Sequence, residues 1–440
     1  MADRPLVAHL LRRASFGPTA AEVDAAEKAG FDATLAALLA PTGADPGAAS
    51  TPEPDLGPDP YTTINQSSSR DARQQAQQDV RGQLQSLRTW WLNRMVAARH
   101  QLTEKVVFFW HGHWATSAQK VKSGLFMQAQ LSTFREHGRG DFAVLLKAML
   151  RDPALIVWLD GQRNTRQAPN ENLARELMEL FTLGIGAYTE DDIKAGARAL
   201  TGWAVERGGT GARFVANRHD TGTKTILGQT ANFDADSFAD LLVAQPAHPI
   251  FLARRLWYRF ASGEPLPAAT QTRLVSAYGG GRDVSALVRA LLADPEFPGT
   301  RGALVKQPVE WLVGAVRQLG IDPGALPDNQ RRQLQGGLDG LGQLPLDPPS
   351  VGGWPAGAAW LTTSSLQVRL RLAAALAAAA SQATVDTVGS GSTDAKLTAL
   401  GRILVVDAWT DRTRAALSDV ASDARKLLTV GLASPEYTVS

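Results

Sequence analysis

The sequence predicts a mainly α-helical fold: one large multi-helix bundle-like domain with a small β-hairpin excursion near 203–228. Three observations carry this expectation. Apolar residues recur at helical spacing through most of the 440 residues. Capping residues stand where those segments begin. Only around 203–228 does the pattern shorten to that of paired strands. With 44% hydrophobic and 20% charged residues the chain is globular in composition. Length alone offers about three domains at ~150 residues each. Helical patterning continues on both sides of every Pro/Gly-rich stretch, however, so residues 1–440 are expected to form a single domain.

Residues 6–40 read as two short helices around a break at Phe16-Gly17-Pro18, with Thr19 capping the second. Residues 41–60 hold six of the 24 prolines and predict a solvated surface excursion. From Ser68 to Arg99, Leu84, Leu87, Trp91 and Met95 trace one face of an amphipathic helix. The next segment, Thr103 to Trp110, is apolar enough to be central. Helices follow over Ser123–His137 and Asp141–Leu150, with a shorter one from Asp152-Pro153. After a polar loop at Asp160–Pro169, Asn170 caps a helix through Leu183 that stops at Gly184 and Gly186. Glu190–Trp203 is another helix. Trp203–Arg207, the turn GGTG and Ala212–Ala216 then form a hairpin, with Lys224–Leu227 as a further strand. Helical periodicity returns from Asp236 onward. It is interrupted by a structured Pro-, Gly- and Trp-rich loop at 344–360 and a polar loop at 381–394.

Lys and Arg number 45 against 43 Asp and Glu. A net charge of +2 gives no global field for nucleic acid or an anionic membrane, so neither is expected as a partner. The absence of cysteine excludes disulfides, thiolate metal sites and cysteine nucleophiles. Any metal must sit on His, Asp, Glu or amide oxygen. The N-terminal stretch shows no secretory pattern. The longest apolar run, Leu372–Ala380, falls short of the ~20 residues that span a bilayer. The chain therefore reads as soluble, with its compartment open.

Three polar concentrations could carry chemistry. In Asn170-Glu171-Asn172-Leu173-Ala174-Arg175-Glu176-Leu177-Met178-Glu179-Leu180-Phe181, helical spacing puts Glu171, Arg175 and Glu179 at successive four-residue steps on one face. Glu176 falls on the border of the apolar stripe, where a carboxylate resists ionisation and can act as acid, base or metal ligand. The plainer alternative is that Arg175 holds Glu171 and Glu179 on a solvated face. In Phe109-Trp110-His111-Gly112-His113, two histidines at i,i+2 share a side only if the segment is extended, which Gly112 would permit. They could then bind one metal; the alternative is buried rings with satisfied nitrogens. His219-Asp220-Thr221-Gly222-Thr223-Lys224 could supply a base, a ligand or an anion contact, or be an Asp-initiated turn.

Taken together, HLLRRASFGPT, FWHGHWATS, NENLARELMELFTLGIGAYTEDDI with ALTGW, HDTGTKTILG and GQLPLDPPSVGGWPAG resemble the bacterial domain of unknown function 1800 family along nearly the whole chain. The resemblance implies no established activity. It implies export to the cell surface or beyond, against a cytoplasmic alternative. It also implies a sulfatase-like partner of the domain of unknown function 1501 family. The family's marked motifs fall on His111, His113, Asn170, Glu171, Asn172, Arg175, Glu176, Glu179, His219 and Asp220. The expectation is one shared cleft. Glu176 with Glu171 or Glu179 would provide acid/base or ligand oxygens, Arg175 would orient a carboxylate or an anionic substrate, and Asp220 would close the site. His111, His113 and His219 would hold a divalent metal. Two functions stay open: a hydrolase of glycans or esters, and a non-catalytic helical scaffold or partner-binding protein whose polar motifs form a structural network.

Overall fold

The computed structural model describes residues 3–208 and 211–440; Gly209 and Thr210 of the expected GGTG turn lie outside the described residues. The described residues are 62% helical, and their sheet content is two small antiparallel hairpins. Each hairpin answers its local sequence. Strand β1 (Trp203–Glu206) pairs with β2 (Gly211–Phe214) in the register Trp203 opposite Phe214, as expected. Strand β3 (Lys224–Ile226) has a partner the sequence did not announce, β4 (Gln229–Ala231). Leu227 and Gly228 make the tight turn between them, both at positive φ.

The centre of the molecule is the helix Gln101–His113, in which every residue except Thr103 is buried. Around it the larger of two apolar clusters runs from Leu10 to Tyr437, and a smaller one joins Val7, Leu11 and Val23 to Val405. The larger cluster includes the expected Leu84, Leu87, Trp91 and Met95 of the long helix Arg70–Ala97. Helix starts follow the predicted chemistry: Thr19 and Glu22 form a capping box, and Asp141, Asp152 and Asp283 each accept a backbone N–H at a helix start. No helix among the described residues is long and apolar enough to cross a membrane.

Several local expectations are corrected. Residues 6–40 hold three helices rather than two, because Gly30 at φ +87° breaks Ala20–Ala29 from Phe31–Leu39. The Pro-rich stretch is anchored to the body. It contains the helix Pro46–Ser50, Gly47 lies against the Ala97 carbonyl, and the Asp45 carboxylate accepts from Arg94 and from the Arg99 N–H. The polar stretch 381–394 holds the helix Gln382–Gly389, capped by Ser381. Polar composition there reflects a solvated outer face over buried Val385 and Val388. The 344–360 segment is irregular and structured as expected, with one short turn at Gly357–Trp360.

Candidate functional site

The two histidines of the aromatic motif sit on the last turn of the central helix, not on an extended segment. Gly112 serves close packing instead. A Cβ there would lie 3.3 Å from Arg259 Nη2, and one on Gly353 would lie 2.6 Å from the Gly112 carbonyl. The 344–360 loop thus lies directly on the helix backbone. On a helix, neighbours at i,i+2 diverge, and each ring finds its own partner. His111 Nε2 accepts the Leu346 N–H at 3.0 Å, with its ring between Trp91 and Trp354. His113 Nε2 donates to the Phe181 carbonyl at 3.1 Å. Burial holds the His111 pKa down at about 3 and pushes that of His113 well below its usual value, the Arg255 charge adding to the effect at His113. Both rings are neutral and wedged among aromatics.

The acidic motif departs from its predicted helix. Regular α-helix covers only Asn172–Glu176, and Leu177–Thr182 winds as a π-helix in which the Leu183 N–H bonds to the Met178 carbonyl five residues back. Asn170 is not the cap residue. Its Oδ1 accepts the Asn172 N–H in a turn, while its own N–H is bonded to buried Asn164, which also donates to the Ala197 carbonyl. The wide turn leaves carbonyls at the helix end without partners in the segment. Two imidazoles fill that need: His113 at Phe181 and His248 at Thr182. The widened winding also slides Glu179 off the Arg175 row. Arg175 therefore pairs with Glu171 at 3.2 Å and with Glu190 at 2.7 Å, whereas Glu179 accepts from the Tyr188 hydroxyl at 2.8 Å. The expected clasp of Arg175 on Glu171 and Glu179 is half right.

Glu176 differs from its neighbours. It is half-buried, and among the described residues its carboxyl takes no hydrogen bond or ion pair. Burial first, and the Glu179 charge second, push its pKa up, with Arg175 opposing. Asn172 is exposed.

The third motif is an anchored turn. His219 Nδ1 bonds at Thr201, whose hydroxyl also accepts the Asp220 N–H. Asp220 takes both arms of Arg198, at 2.7 Å and 3.2 Å, and Arg198 together with the Gly222 N–H keeps its carboxyl below the usual range. Lys224, 1% exposed, donates to the Asp220 and Gly222 carbonyls. The helix Glu190–Ala199 therefore ties the acidic motif, through Glu190, to the hairpin turn, through Arg198. His111 and His113 face separate interior partners. Among the described residues no group of three or more His, Cys, Asp or Glu is placed to hold a metal.

This arrangement of motifs has a family behind it. The model of a family described as "Protein of unknown function (DUF1800)" matches residues 9–439. The chain belongs to that family. No curated protein and no solved structure matches it. For this DUF1800 protein, function has to be read from the arrangement of its own side chains.

Two groups of residues escaped the motif reading. One is the buried ion network of Glu104, 0% exposed, with Arg94 and Arg135. The other is a set of recessed cations around the central helix: Arg13, Lys105, Arg255, Arg259 and Lys306. Its available signal was Arg255 and Arg259 at i,i+4 on the helix Ala247–Phe260, a helix with no acidic residue to pair them.

Proposed function

We propose that this protein is a hydrolase of glycosidic or ester bonds in which Glu176 supplies the proton. The observation that supports the reading is the state of Glu176. It is the motif carboxyl that the fold leaves without a partner, and its surroundings favour the protonated form while Glu179 stands beside it. A protonated Glu176 gives its proton to the leaving-group oxygen as the scissile bond breaks. Glu179, held by Tyr188, takes a proton from the attacking water, whose oxygen bonds to the released carbon. Arg175 and Asp220 act as positioning residues through Glu190 and Arg198, and Asn170 and Asn172 line the approach.

The reading assigns no step to a metal, because His111 and His113 commit their bonded nitrogens to Leu346 and Phe181. The chain acts as one unit in it, since its motif residues span 170–220. A sulfatase-like partner of the 1501 family belongs to the same proposal and is tested by co-expression and co-purification.

Glu176→Gln should abolish turnover on a panel of chromogenic glycosides and esters while leaving the melting temperature within about 2 °C of wild type, as befits a change within about ±0.5 kcal/mol. Full retention of turnover would sink the proposal. The scaffold reading is favoured by one observation, the tie from Arg175 through Glu190 to Arg198 and Asp220. It predicts a lowered melting temperature when the Arg175–Glu190 and Arg198–Asp220 pairs are removed together, and no turnover in wild type or Glu176→Gln.

A further inference from the structure

Five basic side chains from four separate parts of the chain crowd the flank of the central helix, and among the described residues one acidic side chain stands with them. Arg13 comes from the first helix, Lys105 from the central helix, Arg255 and Arg259 from the helix Ala247–Phe260, and Lys306 from the segment before the helix Pro308–Gln318. The carboxylate is Glu310, bonded to Lys105 at 2.7 Å. It is the acidic residue that acts on Arg13, Lys105, Arg259 and Lys306 alike. Arg13, 2% exposed, uses its guanidinium on the Thr300 carbonyl and the Ser440 hydroxyl. Lys306 Nζ stands 3.7 Å from the centre of the buried Tyr437 ring.

Arg255 and Arg259 are different. Among the described residues neither guanidinium has a hydrogen bond or an ion pair, yet both are half-buried, Arg259 against Gly112. Both keep some solvent contact, so the pair can be reached from outside. Burying cations without counter-charge is costly, and proteins avoid it unless a partner is supplied. Glu310 is already spent on Lys105. Among the described residues Arg255 and Arg259 are therefore left to solvent or a ligand.

We propose that this cation cluster is a binding site for a multiply charged oxoanion, a phosphate or sulfate group either free or carried as an ester, gripped by Arg255 and Arg259 beside the Lys105–Glu310 pair. Two guanidinium forks one helical turn apart suit a tetrahedral oxoanion better than a halide, because each fork can make two parallel N–H···O bonds. Lys306 lies among Arg12, Arg13, Lys105 and Glu310, and burial with those three cations brings its pKa down to about 7. A bound anion would restore its proton. The site uses none of the groups assigned to hydrolysis and stands or falls independently of Glu176.

The test is calorimetry and thermal melting of the full chain near neutral pH with inorganic phosphate and sulfate, against chloride at matched ionic strength. A phosphorylated and a sulfated monosaccharide form further arms. Saturable binding and a raised melting temperature with phosphate or sulfate, absent with chloride, are expected. Tighter binding of an esterified sugar than of the inorganic ion would identify an ester as the ligand, and the reverse order a free ion. Arg255→Gln and Arg259→Gln should each weaken binding about tenfold or more, the loss of charge-assisted hydrogen bonds. In chloride the same variants should melt no lower than wild type, because each removes an uncompensated cation. Equal shifts with chloride, or variants that melt lower in chloride while wild type gains nothing from phosphate or sulfate, would overturn the proposal.

Discussion

Acidification from about pH 7.5 to about pH 5.5 should cost this fold stability through its buried histidines, and the size of the loss follows from their surroundings. His9, His111 and His248 are 0% exposed and His113 2%. Burial first, joined by nearby arginines at His9 and His248, lowers their pKa values to about 3 for His9 and His111 and about 4 for His248; His113 lies well below its usual value. In the unfolded chain each protonates near ~6.5. Below that value the unfolded state binds protons that the folded state refuses. The stability present above ~6.5 is therefore lost as pH falls from there toward the folded values. At about pH 5.5 each neutral ring costs about 1.4 kcal/mol, so His9, His111 and His248 together cost about 4 kcal/mol, and His113 adds to the loss.

Asp152 works the other way. Buried and pushed up to about 7, it takes up a proton in the folded state alone between about 7 and the ordinary carboxylate value, which offsets about 2 kcal/mol. These four groups together give a net loss of about 2 kcal/mol before His113 and Lys306, which both add to it, are counted. Urea unfolding at several pH values measures it, with a constant slope in urea confirming that only stability changes. His111→Gln keeps an acceptor for the Leu346 N–H and should flatten the pH dependence by one histidine's share. A fold whose stability is level across this window, or a His111 ring that titrates near ~6.5 by NMR, would refute the burial argument.

Three further outcomes follow from other contacts. Gly353→Ala adds a Cβ 2.6 Å from the Gly112 carbonyl at a backbone φ of +85°, and should lower stability by about 3 kcal/mol in a thermal or urea melt. Glu104→Gln leaves Arg94 to Asp45 alone and strips Arg135 of its buried carboxylate, and should cost about 3 kcal/mol by chemical denaturation. Arg198→Met releases the partly exposed Asp220 and should change global stability by less than about 1 kcal/mol. Amide exchange over the turn and hairpin at 219–231 should nevertheless quicken, and an unchanged exchange rate there would show that the ion pair does not hold the turn.

Much of the fold was legible because it is written in local pattern. The long helix with Leu84, Leu87, Trp91 and Met95 inward, the capping box at Thr19 and the hairpin from Trp203 need only neighbours within a few turns of chain. The motif residues were legible for the same reason: polar side chains concentrated beside apolar runs stand out one segment at a time. The partners of those residues were not legible. Arg175 reaches Glu190 because a π-turn rotates Glu179 away, and that turn is stabilised by His113 and His248 from two other helices. A helical wheel drawn on residues 170–181 assumes uniform winding and cannot contain that effect.

The recessed cations make the same point from the other side. Arg13, Lys105, Arg255, Arg259 and Lys306 are unremarkable in a chain with 45 basic and 43 acidic residues, and the near balance of charge argued only against a polyanion-binding surface. Net charge counts residues wherever they lie, whereas desolvation and Coulomb energy depend on which of them share an interior. The sequence by itself determined that this protein is a helical body with one short excursion into strands, and which polar motifs mark it as a DUF1800 chain. Tertiary structure alone decided which carboxyl is left unpaired, which histidines become buried caps and where positive charge collects. Those outcomes depend on distances between segments that stand well apart along the chain, and no local spacing encodes them.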